Sequence, residues 1–563
     1  MNEQLIECVP NFSEGRDSSI IKQITDEIES VEGVRLLDVD PGKATNRTVV
    51  TFVGNPEAVV DAAYRAIKKA SELIDMSKHS GEHPRMGATD VCPFVPVSGI
   101  TIEETIEYSK KLAQKVGDEL DIPVYLYEFS AAKPERKNLA VVRSGEYEGL
   151  AKKLLEPEWK PDYGKPVFNS KSGATVIGVR NFLIAYNVNL NTKSTRKANS
   201  IAFDVREQGR IKRKGNPITG EVERDENGNQ IRIPGSLKAV KAIGWFIDEY
   251  DIAQISINLT DYKITPLHKV FEEVSKKADE RGIRATGSEI VGMVPLEVMT
   301  ETGKYYLKKQ GRSVGVSEAE LIHIAIKSLG LNDLYPFEPK KKIIEYALRD
   351  EAKTPLLIMN LTQFANETAS ESPAPGGGSI SAYIGALGVA LAAMVANISA
   401  NKRGWEDKIE IMSGYADKAQ QIKDTLLRLV DEDTKAFNNV MNSFALAKST
   451  EQEKIIRKES IQSATKYAMQ VPFLVMEKTF ESFEIIKAMA DSGNPNSVTD
   501  AGVGAMCART AVIGAFLNVK VNSSSLDDKD FVNEILSKGE AIINATKKFE
   551  DEILEIVNSK LAV

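Results

Sequence analysis

Residues 380–399, ISAYIGALGVALAAMVANIS, decide how this chain is read. They are nearly charge-free and about long enough to cross a bilayer. Yet they are rich in Ala and Gly, contain Asn397, and have no second span as partner. A central buried helix of a soluble bundle accounts for that composition better than a membrane span. Downstream, apolar residues recur at helical spacing from 404 to 448: Ile409, Met412, Ala416, Ala419, Ile422, Leu426, Val430 and Phe437. Amphipathic helices are expected at 450–470, 473–490, 498–518 and 530–558, so 357–563 reads as an all-α helical bundle.

Upstream the pattern changes. Within 1–181, LIECVPNF, VRLLDVD, TVVTFVG, VCPFVPV and PVYLYEF read as strands, and 18–31, 55–75 and 101–119 as helices. Residues 182–347 repeat the mixture, with strands FLIAYNVNL, AIGWFID and IAQISINLT and a helix at 266–281. The fold class is therefore α/β (α+β) in two subdomains, 1–181 and 182–347, then a linker at 348–356 and the helical part. The polar stretch 215–233 has two turn signals and reads as an exposed hairpin.

Composition narrows the function. A length of 563 residues suggests roughly three or four domains. The formal net charge of -8 gives a nucleic-acid partner no support. Three widely spaced cysteines, Cys8, Cys92 and Cys507, argue against a disulfide framework or a zinc site. No basic segment followed by an apolar run opens the chain, so the expected location is cytoplasmic. All four histidines precede residue 349, so proton transfer in the helical part must use carboxylates, Lys, Tyr or Cys507.

The run GEHPRMGATDVCPFVP, 81–96, sets His83 between Gly81 and Pro84, with Glu82, Arg85 and Asp90 close by. Gly and Pro interrupt any helix, so His83 sits on a stiff bend, suited to moving a proton. A solvated loop histidine fits the same pattern. Asp40 at a strand end, with Asn46 and Arg47 after a glycine turn, suits the rim of an α/β site. Gly42-Lys43 is no P-loop, and SGATVIGVR lacks dinucleotide spacing. The basic runs at 210–214 and 340–342 read as solvated faces or as a path for a polyanionic substrate.

In the helical part, Gly376, Gly377, Gly378 and Ser379 precede the long apolar helix, where free N–H groups suit an anion or a carbonyl; a capped linker is the alternative. Ser497 and Asp500 have capping-box spacing at a second turn, GNPNSVTDAG. Both loops open small-residue helices, which would let them meet. Asp433 lies on the core-facing stripe, so its pKa should rise, as a proton donor requires; a buried pair with Lys402 or Arg403 is the structural alternative.

These pieces together resemble one family. ECVPNFSEG, LLDVDPG, NRTVVTFVG, GEHPRMGATDVCPFVP, REQGR and PGSLKAVKAIGW are similar to the transferase half of the formimidoyltransferase-cyclodeaminase family, and PAPGGGS and NSVTDAG to its cyclodeaminase half. The resemblance covers essentially the whole chain in order. It implies a bifunctional folate enzyme of histidine breakdown. The first half would move a formimino group from N-formimino-L-glutamate to tetrahydrofolate; the second would close the product to 5,10-methenyl-tetrahydrofolate with loss of ammonia. It further implies polyglutamylated folate as co-substrate, no metal, and a ring-like homo-oligomer. By the resemblance, His83 is catalytic and Asp40 a site carboxylate. Folate contacts fall on 164–173, with Gly164, Lys165, Ser172 and Gly173, and on 235–244, with Gly235, Lys238, Lys241 and Gly244. Asp500, Asp433 and the PGGGS loop are assigned to cyclisation, and Arg47 or Arg85 to substrate carboxylates. The 215–233 hairpin departs from the family's pattern. Two other readings stay open: a single-activity glutamate formimino- or formyltransferase with a helical folate-binding and assembly module, and a membrane-associated scaffold.

Overall fold

A computed structural model describes residues 4–43, 45–81, 84–215, 220–348 and 355–561. The chain forms two compact units, one of residues 1–298 with 329–348, the other of residues 299–328 with 349–563.

The first unit carries two sheets. Strands β1 (Leu5–Cys8), β2 (Asn11–Phe12), β3 (Val34–Gly42), β4 (Arg47–Gly54), β5 (Thr89–Ser98), β6 (Val124–Glu128) and β7 (Thr175–Val179) make the larger one. The run LIECVPNF, expected as one strand, is one strand position broken in two. Both β1 and β2 lie between β4 and β5, and the break falls at Val9–Pro10, where proline has no N–H to give the ladder. The order is thus β3, β4, β1 with β2, β5, β7, β6; only β5–β7–β6 run parallel. Helices α1 (Ser18–Glu29), α2 (Pro56–Leu73) and α3 (Ile102–Glu119) bury their apolar stripes on one face, with Ile6, Phe52, Ile67, Phe94 and Val116 in the core. On the other face, α4 (Leu139–Val142) and α5 (Glu146–Lys153) cover the β5–β7–β6 end, around Met86, Tyr125, Tyr127 and Leu150.

The second sheet is antiparallel. Its strands β8 (Ile184–Leu190), β11 (Val240–Ile247), β12 (Ile252–Leu259) and β13 (Ala285–Val291) stand in the order β11-β12-β8-β13. Helices α6 (Thr195–Val205) and α7 (Leu267–Asp279) cover one face. The hairpin inferred at 215–233 is present. Strands β9 (Arg210–Ile211) and β10 (Arg232–Ile233) continue through bridges Arg213–Val222 and Arg224–Gln230 to a turn where Asp225 accepts from the Asn227 and Asn229 amides. Its residues 216–219 lie outside the described ones.

The second unit is helical: α8 (Leu296–Lys309, from Met299 on), α9 (Glu318–Leu329, to Ser328), α10 (Leu361–Thr368), α11 (Gly377–Ala400), α12 (Ile409–Ala445), α13 (Glu451–Glu481), α14 (Phe483–Ser492), α15 (Val498–Ser523) and α16 (Lys529–Leu561). Residues 299–328, placed by the sequence reading in the second α/β part, group here. Their link is specific: the Gly315 carbonyl accepts from Asn397 at 2.7 Å and Gln420 at 3.1 Å, and Lys304 pairs with Asp417 at 3.0 Å. Two expectations are corrected: the break at 470–473, and residues 380–399 as an apolar span without a second one. One helix runs through Pro472, and Pro495–Ser523 is also long and apolar enough to cross a membrane. Helix α11 is the centre of the bundle, with Ala386, Val389, Ala393 and Ala396 at most 2% exposed against α12 and α15. Phe437, expected on the buried stripe, is 38% exposed.

Candidate functional site

The first unit builds a polar centre around the loop that leads into β5. His83 and Glu82 lie outside the described residues; both flanks of the pair are described. Gly81 lies against the Thr45 carbonyl. Asn46, in the left-handed region at φ 47°, is a cross-brace. Its Oδ1 accepts from the Gly15 amide at 3.0 Å, its Nδ2 donates to the Ser80 carbonyl at 3.0 Å, and its own carbonyl meets His79 Nε2 at 2.9 Å. Asn46 thus braces the loop, while its amide keeps a second N–H and a second lone pair. Past the loop, Asp90 is 1% exposed and accepts from Arg47 at 3.0 Å, from Arg143 at 2.7 and 3.2 Å, and from the Met86 amide at 3.0 Å. Burial, the largest cause, and the neighbouring Arg143 charge pull Arg47 down to about 10, against the pull of Asp90.

Arg85 has a different place. It binds Glu148 at 2.7 and 2.8 Å, Glu146 at 3.3 Å and His79 Nδ1 at 3.2 Å. With two carboxylates of its own Arg85 is committed to the protein, and Arg47 is held in turn by Asn11 Oδ1 at 2.9 Å and by Asp90. Asp40, on β3, is exposed as a residue; shielding of its carboxyl and the neighbouring Asp38 raise its pKa, and Lys342 offsets part of the rise.

The stretch 164–173 meets this centre at one end only. The Ser172 carbonyl accepts from Ala88, and Gly173 pairs with Gly87. Gly164 packs on the Ile122 carbonyl, and Lys165 pairs with Asp121 at 3.0 Å, both away from the loop. Gly173 has φ +68°, and an added Cβ would lie 2.1 Å from the Met86 carbonyl oxygen. Gly215 has φ +69° with nothing within 4 Å. Gly173→Ala is therefore expected to cost well beyond the ~1–2 kcal/mol of left-handed strain, and Gly215→Ala only that strain. Urea midpoints of the two variants check this; equal losses would contradict the close approach.

Along 235–244, Gly235 packs on the Arg206 carbonyl and Gly244 on α6, while Lys238 and Lys241 are exposed. Lys241 shares one face of the second sheet with Trp245 and Glu289, and with Asn187, Asn189 and Gln254, which are buried. Trp245 donates to Gln254 at 3.1 Å, Gln254 to Asn189 at 2.8 Å, and Asn187 to Glu289 at 2.7 Å. Sequence reasoning missed this ladder, although Asn187 and Asn189 alternate with apolar neighbours in FLIAYNVNL.

In the helical unit, Gly376 to Ser379 open α11, and Asp433 of α12 docks on that end. Ser379 Oγ lies 3.2 Å from the Asp433 carboxylate and 2.8 Å from the Val430 carbonyl. A Cβ on Gly378 would sit 2.1 Å from Asp433 Oδ1, so glycine is what lets the carboxylate reach the helix start. Burial raises the Asp433 pKa, and the Ser379 hydroxyl and amide hold back part of the rise. No pair with Lys402 or Arg403 forms: Lys402 stacks 4.2 Å over Trp405.

The second glycine turn is elsewhere. The Asn494 amide donates to Ser399 Oγ at 2.8 Å, at the far end of α11, while Gly377 faces Asn518. Helices α11 and α15 are therefore antiparallel, and the 24 residues of α11 separate the two loops by roughly 36 Å. The expected meeting of PGGGS and NSVTDAG does not occur within one chain. Ser497 makes no capping bond through its side chain, so the capping box with Asp500 is absent too. Among the described residues, no group of three or more His, Cys, Asp or Glu is placed to hold a metal ion.

Comparison with known proteins covers both units. Three family models match in chain order: "Formiminotransferase domain, N-terminal subdomain" over 5–180, "Formiminotransferase domain" over 185–349 and "Formiminotransferase-cyclodeaminase" over 360–541. The formimidoyltransferase-cyclodeaminase of Dictyostelium discoideum is 42% identical over 560 residues, 99% of each chain. The glutamate formimidoyltransferase of Streptococcus pyogenes is 41% identical over 305 residues, 54% of this chain and 94% of the relative. The methenyltetrahydrofolate cyclohydrolase of Methylorubrum extorquens is 34% identical over 198 residues, 35% of this chain and 95% of the relative.

Proposed function

The chain belongs to the formimidoyltransferase-cyclodeaminase family, and from that premise we propose how its residues divide the work. It is a bifunctional folate enzyme. It transfers a formimino group from N-formimino-L-glutamate to tetrahydrofolate, then cyclodeaminates the 5-formimino product to 5,10-methenyl-tetrahydrofolate and ammonia.

In the transferase reaction the folate amine attacks the amidine carbon, and the tetrahedral intermediate expels glutamate. His83 takes the proton from the attacking nitrogen and returns it to the leaving amine. Support comes from the braced flanks of its loop and from His79. The His79 Nδ1 accepts from Arg85, so its Nε2 carries the hydrogen and donates to Asn46. Both nitrogens are occupied, which leaves His83 as the histidine of this region for proton transfer.

In the cyclodeaminase reaction the second folate nitrogen attacks the formimino carbon, Asp433 gives its proton to the departing ammonia, and the carboxylate recovers one from the attacking nitrogen. The observation that carries this is the docking of its carboxyl on Gly378 and Ser379 at the start of α11, where burial raises its pKa. Asp500, at the other end of α11, takes part only if a second copy brings it there. The exposed apolar side chains of two neighbouring helices support a homo-oligomer: Leu387 and Ile398 on α11, Leu517 and Val521 on α15 are 40–65% exposed. A monomeric mass in solution would count against that assembly. The polyglutamylated form of folate, a place in histidine breakdown and a cytoplasmic location, supported by three free cysteines, complete the proposal.

The test is one mixture of purified protein, tetrahydrofolate and N-formimino-L-glutamate, with methenyl-folate absorbance and ammonia followed together. Both signals are expected in step. Transfer without ammonia would favour the single-activity reading.

A further inference from the structure

The polar ladder of the second sheet ends in a carboxylate that only neutral groups hold. Glu289, on β13, is half-buried. Its Oε1 accepts from Asn187 Nδ2 at 2.7 Å and from Gln254 Nε2 at 3.3 Å, and its Oε2 accepts from the Tyr335 hydroxyl at 3.0 Å. None of these donors is a cation, and a carboxylate has room for about four bonds. Asn187 must turn its N–H groups toward Glu289, because a carboxylate only accepts. Its own Oδ1 then receives no bond from the described residues, although the residue is 4% exposed. A buried amide oxygen without a donor calls for a partner from outside the chain.

Two aromatic rings stand beside these acceptors. Trp245 is 38% exposed and gives its indole N–H to Gln254 at 3.1 Å; Tyr335 is 36% exposed and gives its hydroxyl to Glu289. The polar end of each ring is thus turned into the network, and apolar ring surface is left open. Ile243, on the same face of β11 as Trp245, is 51% exposed as well. The network also borders Asp40: burial first, then Glu289, Tyr250 and Asp40 raise the Tyr335 phenol. Open apolar rings around a half-buried pair of acceptors fit a flat ligand whose edge carries N–H donors.

We propose that Glu289 and Asn187 receive the amino-pyrimidine edge of tetrahydrofolate, with Trp245 and Tyr335 lying along the ring. The inference rests on the first unit being a formimidoyltransferase that uses tetrahydrofolate. That edge sets a 2-amino group beside a ring N–H, an N–C–N pair of donors. The formimino group of the other substrate is an N–C–N unit too, but it brings no ring for Trp245 and Tyr335. The experiment separates the two sources.

Steady-state transfer is measured for the wild type, Glu289→Gln and Trp245→Leu. Tetrahydrofolate, its analogue without the 2-amino group, and N-formimino-L-glutamate are varied in turn. In the wild type, the KM for the analogue is expected to lie at least ~10-fold above that for tetrahydrofolate. In Glu289→Gln the tetrahydrofolate KM should rise to the level of the analogue, with the N-formimino-L-glutamate KM unchanged. In Trp245→Leu both folate KM values should rise together. A rise confined to the N-formimino-L-glutamate KM overturns the proposal and gives the carboxylate to the formimino group. An analogue penalty as large in Glu289→Gln as in the wild type overturns it too, as does a fall in kcat with every KM unchanged. If Glu289→Gln does not fold, the wild-type penalty and Trp245→Leu decide, and the absence of either effect overturns the proposal. No transfer by the wild type would defeat the functional reading itself; normal transfer with unmoved folate KM values would defeat only this inference.

Discussion

Replacing His83 with alanine is expected to lower formimino transfer by ~10²–10⁴-fold, the usual contribution of one positioned acid–base group. The same variant should cyclise supplied 5-formimino-tetrahydrofolate at the wild-type rate. The reason is chemical economy in the first unit. Transfer needs one group that accepts a proton from the attacking nitrogen and gives one to the leaving nitrogen, and imidazole does both near neutral pH. His79 is tied on both nitrogens, to Arg85 and to Asn46. His79→Gln is therefore expected to disturb loop stability more than the pH profile of transfer. If His83→Ala kept its rate and His79→Gln lost the acidic limb, the two roles would be exchanged.

Asp433→Asn is expected to lower cyclodeamination by a similar ~10²–10⁴-fold and to leave transfer untouched. The carboxyl is held above its ordinary pKa chiefly by burial. It acts in its protonated form, so the reaction should slow as pH rises through the raised value. Ser379 favours the charged form through its hydroxyl and amide. Ser379→Ala removes the hydroxyl's share, so the falling limb should move to higher pH. A limb that moves to lower pH, or an Asp433→Asn variant with full activity, would remove Asp433 from the chemistry. Gly378→Ala offers a steric version of the same test, because its Cβ would occupy the space of the carboxylate.

Much of this was legible in the sequence, and the rest was not for identifiable reasons. The helices at Ser18–Glu29, Pro56–Leu73 and Ile102–Glu119 announce themselves by caps and period, with a full capping box at Thr101 and Glu104. Strand β13, ATGSEIV, shows no clean alternation of apolar and polar residues, and it went unread. The continuous helix through Pro472 defeats the rule that proline ends a helix, because packing on α15 and α12 outweighs one lost backbone bond.

The site was legible in part. The shielding of Asp433 followed from its stripe position, but its docking on PGGGS and its partner, Ser379, did not. The separation of PGGGS from NSVTDAG could not be read, because both precede helices and only the antiparallel packing of α11 and α15 puts their starts at opposite ends. Arg143 gave no local signal at all. Its meaning lies in sharing Asp90, 53 residues away in sequence, with Arg47.

The central claim is that two separate sites, one on each unit, carry two successive reactions. Its most direct test is ammonia release by His83→Ala and Asp433→Asn, each supplied in turn with N-formimino-L-glutamate plus tetrahydrofolate and with 5-formimino-tetrahydrofolate. His83→Ala should release ammonia only from the preformed intermediate, and Asp433→Asn from neither, while still liberating L-glutamate from the first mixture. Loss of both reactions in either single variant would contradict the claim.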